Sequence, residues 1–350
     1  MKTKSIFTIL AVAFLGAMRP ASAAPFSDMI SFGDSLTDVG NVAGVTTPGY
    51  APVIDGYYQE THFSDGVLWN ETLASYWGLP ARTPGRVALP PLSAATTGNT
   101  WAWGGSEAGS GTVQPTGVTV AIPNLLTETA DYLSVNTPDS SALFTIWSGA
   151  DNLLVGGAVS PSAAAAAADA VKTAMQQLDG AGARNILVFN MPKLGDTPYA
   201  IAGGPIVIAA VNVYALSYNA ALDTAIAELR ADPLFHSQIY FADAYTLLKD
   251  IADTVNADGT YTPDFFVPGA PVTINNVTSM GLDYFDTNGT YPANYLFWDD
   301  VHPTTQGHQV IAGMALKAVT PVPEAAVPAW LLAGGATLLI LRRRKIFARR

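Results

Sequence analysis

Residues 29–41 of the chain, MISFGDSLTDVGN, contain its strongest local pattern. The apolar run Met29–Phe32 ends at Gly33, as expected for a buried strand that leads into a sharp turn. Ser35 follows two residues later, so we expect its hydroxyl at the carboxyl end of that strand. A serine hydroxyl is a weak nucleophile unless a base removes its proton. The segment therefore predicts either a nucleophilic serine or a polar turn, where Ser and Asp are also common.

Three more apolar runs end in the same way, and helical patterns lie between the runs and after the last of them. The helical patterns cover Ser162–Leu178, Ile206–Arg230 and Thr304–Val319. Alternating strands and helices indicate an α/β fold, in which a central parallel sheet is covered on both faces. We therefore predict a three-layer α/β/α fold with its functional residues at the carboxyl ends of the strands. The predicted strands are Met29–Phe32, Leu143–Trp147, Asn185–Phe189 and Gln238–Phe241.

The regions between these elements differ in composition from the elements themselves. Residues 42–100 and 255–297 are rich in Gly, Pro, Thr and aromatic residues, so we expect loops there that shape a substrate site. No linker or repeat divides the body. We predict one domain over residues 24–320, which resembles a hydrolase domain for the reasons given below.

Charge and cysteine content exclude several classes of protein. The chain has 350 residues, a net charge of −11 and no cysteine, which excludes disulfides, cysteine zinc sites and a cysteine nucleophile. Nine of its 17 basic residues lie in the first 23 and last nine positions, so the body is strongly acidic. An acidic body argues against a nucleic-acid partner, which needs a basic face.

The first 23 residues match a secretory signal peptide. Lys2 and Lys4 precede the apolar run Ile6–Leu15, and Ala21–Ala23 fits the small-x-small cleavage pattern. The run is short for a helix that crosses a bilayer of about 30 Å. We therefore expect export and removal of residues 1–23 by signal peptidase, rather than a membrane anchor.

Residues 321–350 form a three-part tail. Val322–Ala325 precedes an apolar stretch up to Leu341, and the basic cluster Arg342–Lys345 follows. This tail resembles the PEP-CTERM sorting signal of exopolysaccharide-producing Gram-negative bacteria, although Ala325 replaces the usual proline. The resemblance implies a transient inner-membrane tether through a short transmembrane segment, cleavage by an exosortase, and release to the cell surface or extracellular matrix. A plain C-terminal anchor is the alternative.

A histidine base for Ser35 is expected to be held by a carboxylate. Among the four histidines, His302 has Asp299 three residues before it, which is the length of one tight turn. The carboxylate can then reach Nδ1 and leave Nε2 facing the serine. Taken without Ser35, His302 would be an ordinary residue of a loop that enters a helix.

These residues together resemble the GDSL, or SGNH, family of serine esterases and lipases over nearly the whole body. Ser35 lies at the family's nucleophile position, and Asp299 and His302 lie on its Asp-x-x-His pair. The resemblance implies an oxyanion hole that includes the backbone N–H groups of Ser35 and of a glycine. We assign that glycine to Gly105, with Gly104 as the alternative.

The family's third motif, Gly-x-Asn-Asp, is altered here to Gly149-Ala150-Asp151-Asn152. A carboxylate would repel the negative charge that develops on the substrate oxygen, whereas a carboxamide would donate a hydrogen bond to it. We therefore expect Asn152, rather than Asp151, to be the third oxyanion donor.

The sequence as a whole predicts an exported carboxylic-ester hydrolase that works through a Ser-His-Asp triad and an acyl-enzyme. The acyl substrate is left open between a lipid, a short-chain ester and an acetylated sugar. No His-x-x-x-His pair or glycine-rich phosphate loop occurs, so we expect neither a metal nor another cofactor. The alternative hypothesis is a catalytically silent surface or matrix protein that binds exopolysaccharide on a hydrolase fold.

Overall fold

The computed structural model describes residues 24–43, 61–85, 98–115, 121–279 and 294–320. The predicted signal peptide, residues 1–23, and the predicted sorting tail, residues 321–350, lie outside these ranges. The elements, in chain order, are β1 Met29–Gly33, α1 Trp69–Trp77, β2 Thr112–Val113, β3 Ile122–Pro123, α2 Leu125–Val135, β4 Leu143–Trp147, α3 Asp151–Leu154, α4 Pro161–Ala181, β5 Asn185–Phe189, a 3-10 turn Leu194–Asp196, α5 Pro198–Ala231, β6 Gln238–Ala242, α6 Ala244–Asp258, β7 Asn276–Ser279, β8 Tyr295–Phe297 and α7 Thr305–Val319.

The central sheet has the order β1-β4-β5-β6, and all of its pairs are parallel. Its four strands are those that the apolar runs predicted, and β1 and β4 are buried throughout. Because alternate side chains point to opposite faces, each strand supplies two separate cores. This confirms the predicted α/β fold with a central parallel sheet.

Helices cover both faces of the sheet and complete three layers. Ile30 and Phe32 point to the face covered by α2, α4 and α5. Met29 points to the opposite face, which α1, α6 and α7 cover. The nucleophile loop after β1 is therefore supported from both sides by packed hydrophobic cores.

Helix α5 begins earlier than its sequence pattern predicted. It starts at Pro198 rather than Ile206, and it is kinked at Gly204, whose φ of 77° is non-helical, just before Pro205. The predicted start therefore marks the second half of a broken helix. Among the described helices, α5 is apolar and long enough to cross a membrane by composition, but Tyr214 and Tyr218 are buried in the core.

Candidate active site

A glycine that no other residue can replace without strain positions the predicted nucleophile. Gly33 has a φ of 138°, and a Cβ at this position would lie 1.9 Å from the carbonyl oxygen of Trp147 on β4. Its N–H donates to the buried carboxyl of Glu128 at 2.9 Å. The chain therefore turns sharply at the end of β1, and Ser35 is presented at the carboxyl edge of the sheet.

His302 lies within hydrogen-bond distance of Ser35, although 267 positions separate them in the chain. The distance between His302 Nε2 and Ser35 Oγ is 2.8 Å. On the other side of the ring, Nδ1 lies 2.7 Å from Asp299 Oδ2. The structure thus brings together Ser35, His302 and Asp299, the three residues that the sequence predicts as a triad.

The turn between Asp299 and His302 is held by the same carboxylate. The backbone N–H groups of Val301 and His302 donate to Asp299 Oδ1 at 2.8 and 2.7 Å. Asp299 therefore fixes both the backbone and the imidazole ring. The ring of Phe63 lies against the imidazole, with centroids 5.3 Å apart.

The charged forms of His302 and Asp299 stabilise each other. Burial alone would lower the pKa of His302, but the attraction and hydrogen bond of Asp299, helped by Asp34, raise that pKa above its ordinary value. Burial likewise opposes ionisation of Asp299, and the contacts with His302 outweigh it and lower the pKa of Asp299. An imidazolium at His302 is thus stabilised, as a general base requires after it takes a proton.

Two backbone N–H groups at the cavity are suited to bind an oxyanion. Ser35 and Gly105 both line the cavity, and neither N–H donates a hydrogen bond within the described part of the chain. The N–H of Gly104, in contrast, donates to Asp38 Oδ2 at 3.0 Å. Of the two glycines considered from the sequence, Gly105 is therefore the one with a donor available.

The structure corrects the expected position of Asn152. Its Oδ1 accepts from the Ala108 N–H at 2.7 Å, and its Nδ2 donates to the Ala108 carbonyl at 3.0 Å. Consecutive residues of a helix are rotated by about 100° about its axis. Asp151 lines the cavity, and Asn152, the next residue, therefore faces the loop at Ala108 instead. The carboxamide thus holds the loop at Ala108, and Asn152 is not among the residues that line the cavity.

The cavity beside Ser35 has a volume of about 380 Å³ and extends between α6 and α7. Asp34, Asp151 and His302 line it together with Ser35, and Asp34 interacts electrostatically with both of the other two. In the part of the chain that the structure describes, no group of three His, Asp or Glu side chains is placed to hold a metal ion. Most of the remaining lining is apolar and includes Leu36, Phe63, Trp147, Leu154, Leu194, Leu247, Leu248, Ile251, Leu296, Phe297 and Ile311.

Sequence reasoning missed three buried carboxyl groups around the site. Burial raises the pKa of Asp34 to about 6, and the pKa of Glu128 lies well above its ordinary value for the same reason. Asp38 accepts from the N–H groups of Gly40, Asn41, Val42 and Gly104. It therefore connects the nucleophile loop to the loop that carries Gly104 and Gly105, the glycine loop. Asp34 and Asp38 lie inside the quoted motif, whereas no pattern around Glu128 indicated its role.

A second segment anchors the histidine loop. Ser64 Oγ donates to the Pro303 carbonyl at 2.9 Å, and Asp65 Oδ1 accepts from the Thr305 N–H at 2.6 Å. These contacts connect the start of α7 to the chain that leads into α1. These two hydrogen bonds hold the backbone on the carboxyl side of His302 and do not involve the imidazole ring.

The chain thus combines a three-layer α/β fold with a Ser-His-Asp arrangement at the carboxyl edge of its sheet. A family model described as "GDSL-like Lipase/Acylhydrolase" matches residues 29–313. The match includes the nucleophile loop, the glycine loop and the histidine loop. The chain therefore belongs to the GDSL-like lipase/acylhydrolase family, a family of ester hydrolases.

Several curated proteins are similar along most of the chain. An uncharacterized protein from the trpE-trpG intergenic region of Pseudomonas putida is 29% identical over 88% of this chain, which spans about half (51%) of that relative's length. A phosphatidylcholine-sterol acyltransferase of Aeromonas hydrophila is 28% identical over 84% of this chain and 89% of its own. Esterase EstA of Pseudomonas aeruginosa is 27% identical over 89% of this chain and 50% of its own.

A solved structure of a lipolytic G-D-S-L family member from Veillonella parvula is also similar to this chain. It aligns with 84% of this chain and 99% of its own, at 14% identity and a TM-score of 0.42.

Proposed function

We propose that the protein is an exported serine esterase that hydrolyses carboxylic esters through an acyl-enzyme on Ser35. The 2.8 Å contact between His302 Nε2 and Ser35 Oγ carries this proposal, because it supplies the base that a serine nucleophile needs. Similarity to proteins named as an acyltransferase and as esterases supports an acyl ester as the substrate.

Each step of the reaction has a group in place. Ser35 Oγ attacks the ester carbonyl carbon and passes its proton to His302 Nε2, while the carbonyl π pair moves onto oxygen. The N–H groups of Ser35 and Gly105 bind this oxyanion. When the bond to the leaving alcohol breaks, the imidazolium returns the proton to that alcohol. Water then gives a proton to His302 Nε2 and attacks the acyl carbon. The bond to Ser35 Oγ breaks, the acid leaves, and the imidazolium returns the proton to Ser35.

The apolar cavity is consistent with an acyl group as the part of the substrate that is buried. Its walls at Leu248, Ile251 and Ile311 carry no hydrogen-bonding side chain, which favours a hydrocarbon chain over a sugar at that end. We therefore rank lipid and short-chain esters above acetylated sugars. A panel of p-nitrophenyl esters from acetate to palmitate measures this preference directly.

Export, followed by release to the cell surface or extracellular matrix, is proposed from the sequence. Residues 1–23 would direct secretion, residues 24–320 would form the hydrolase domain, and residues 321–350 would act as a sorting tail with a transient membrane tether. Signal peptidase and an exosortase are the processing partners that these segments imply. Mass spectrometry of the protein recovered from its host would give both new termini.

Activity of a Ser35 variant tests the proposal. Ser35→Ala should lower p-nitrophenyl butyrate hydrolysis at least about 10³-fold, because the nucleophile is lost. Ser134→Ala is the matched control, since Ser134 is exposed on α2 and its hydroxyl bonds only its own helix. Full activity in folded Ser35→Ala would overturn Ser35 as the nucleophile, whereas a native protein that hydrolyses none of these esters would favour the silent matrix module.

A further inference from the structure

Asp151 is a buried acid that opens on the cavity beside Ser35. Its side chain lines the cavity together with Ser35 and Gly105, and only 8% of the residue is exposed. Within the described part of the chain, its carboxyl group makes no hydrogen bond and no ion pair. The carboxyl group opens on the cavity rather than being sealed in the core, so a ligand in the cavity can supply the partner that the protein does not.

The loop that carries Asp151 is held rigidly. Tyr218 Oη donates to the Ser148 carbonyl at 2.8 Å, and Tyr214 Oη donates to the Gly149 carbonyl at 2.9 Å. Gly149 has a φ of 113°, and a Cβ there would lie 2.6 Å from the Tyr218 ring. The loop is therefore locked from the side of α5, and Asp151 is directed at the cavity by backbone geometry.

The surroundings of Asp151 favour its neutral form. Burial is the main cause that raises its pKa well above the ordinary value, and the negative charges of Asp34 and Glu107 add to it. Tyr214 on α5 lies close enough for the charge of Asp151 to raise its pKa, and His302 also lines the cavity. Three neighbouring carboxyl groups in a poorly solvated site do not all ionise together. A neutral carboxyl has an O–H that can donate, whereas a carboxylate can only accept.

We propose that Asp151 is a catalytic oxyanion donor that acts in its protonated form, in place of the carboxamide that was expected from Asn152. This inference rests on the proposed esterase function. When Ser35 attacks, the carbonyl π pair moves onto oxygen, and the Asp151 O–H donates a hydrogen bond to it. The Asp151 proton stays on the carboxyl throughout, while the proton of Ser35 goes to His302 and then to the leaving alcohol.

This role gives the enzyme two opposing pH requirements. His302 must be neutral to accept a proton, so kcat/KM rises as pH increases through the pKa of His302. Asp151 must be protonated to donate, so kcat/KM falls as pH increases through its raised pKa. The proposal therefore predicts a bell-shaped profile whose alkaline limb belongs to Asp151.

Replacement of Asp151 by an amide separates this role from a structural one. Asp151→Asn has the same shape and donates at every pH, so it should keep activity within about threefold at the optimum and lose the alkaline limb. Asp151→Ala removes the donor and should lower kcat about 10²–10³-fold. Circular dichroism and thermal melting check that both variants fold, and p-nitrophenyl butyrate is the substrate for both profiles.

Glu107→Gln tests independently the direction in which the alkaline limb moves when a negative charge near Asp151 is removed. Loss of this neighbouring negative charge should lower the pKa of Asp151 and move the alkaline limb to lower pH, and Asp151→Asn should be insensitive to the same change. An unchanged alkaline limb in Asp151→Asn, or full activity in folded Asp151→Ala, overturns the proposal. Because Ser35 and His302 are intact in these variants, failure here leaves the serine mechanism standing, and Ser35→Ala tests that mechanism separately.

Discussion

Asp299→Asn tests the triad with the smallest change of shape. In the native site, Asp299 Oδ1 accepts from two backbone N–H groups, and Oδ2 accepts from His302 Nδ1 at 2.7 Å. Asparagine can keep the two backbone bonds through its oxygen, which leaves its NH₂ facing Nδ1. The ring must then carry its proton on Nε2, where it can no longer accept the proton of Ser35.

The magnitude follows from this change of tautomer. In an established Ser-His-Asp enzyme, the equivalent change lowers kcat about 10⁴-fold, which corresponds to about 5.4 kcal/mol of barrier. We expect a loss of this order with p-nitrophenyl butyrate and little change in the melting temperature, since the turn keeps its two backbone bonds. Asp258→Asn is the charge-matched control because Asp258 is exposed at the end of α6. A loss below tenfold would refute the assigned role of Asp299.

Three other variants test the supports of the site. Gly105→Ala places a Cβ at positive φ and 2.5 Å from Pro115 Cγ, so it should tilt the oxyanion N–H and lower kcat about 10²-fold; unchanged kinetics would contradict this. Gly33→Ala places its Cβ 1.9 Å from the Trp147 oxygen and should cost about 3 kcal/mol of unfolding free energy in urea; a neutral result would contradict the strain argument. Burial raises the pKa of Asp34 from 3.8 to about 6, so between these pH values the folded state holds a proton that the unfolded chain releases. The contribution of protonated Asp34 to stability is therefore lost as pH rises from about 4 to 6. In Asp34→Asn, the midpoint of urea unfolding should therefore change less between about pH 4 and pH 6 than in the native protein. An equal change with pH in both proteins would count against the raised pKa of Asp34.

Much of the fold was predictable because its signals are local. Each sheet strand is a short apolar run that ends at a turn, and parallel pairing follows from the helical patterns between the runs. The predicted start of α5 was wrong because Gly204 and Pro205 interrupt the helical pattern in the sequence. In the structure, the helix extends on both sides of this kink. Helix α1 lies in a region whose composition indicated loops, and the core residues Trp69 and Leu73 hold it against α7.

Some residues of the site were likewise predictable from local sequence, and others were not. Asp299 and His302 lie one turn apart, so their pairing is visible in the sequence, and the position of Ser35 follows from the strand before it. The position of Asp151 at the cavity and the contacts of Asn152 with Ala108 depend on how a short helix is rotated, which the neighbouring residues in the sequence do not specify. Glu128 supports Gly33 across 95 positions of the chain, a contact that only tertiary structure reveals.

The most direct measurement is covalent labelling of the purified protein with a fluorophosphonate, followed by intact-mass and peptide mass spectrometry. Only a serine whose proton is taken by a base reacts rapidly with this reagent. We predict one adduct per chain, located on the peptide that contains Ser35 and absent after His302→Ala. A protein that remains unlabelled, or one labelled at another serine, would contradict the account.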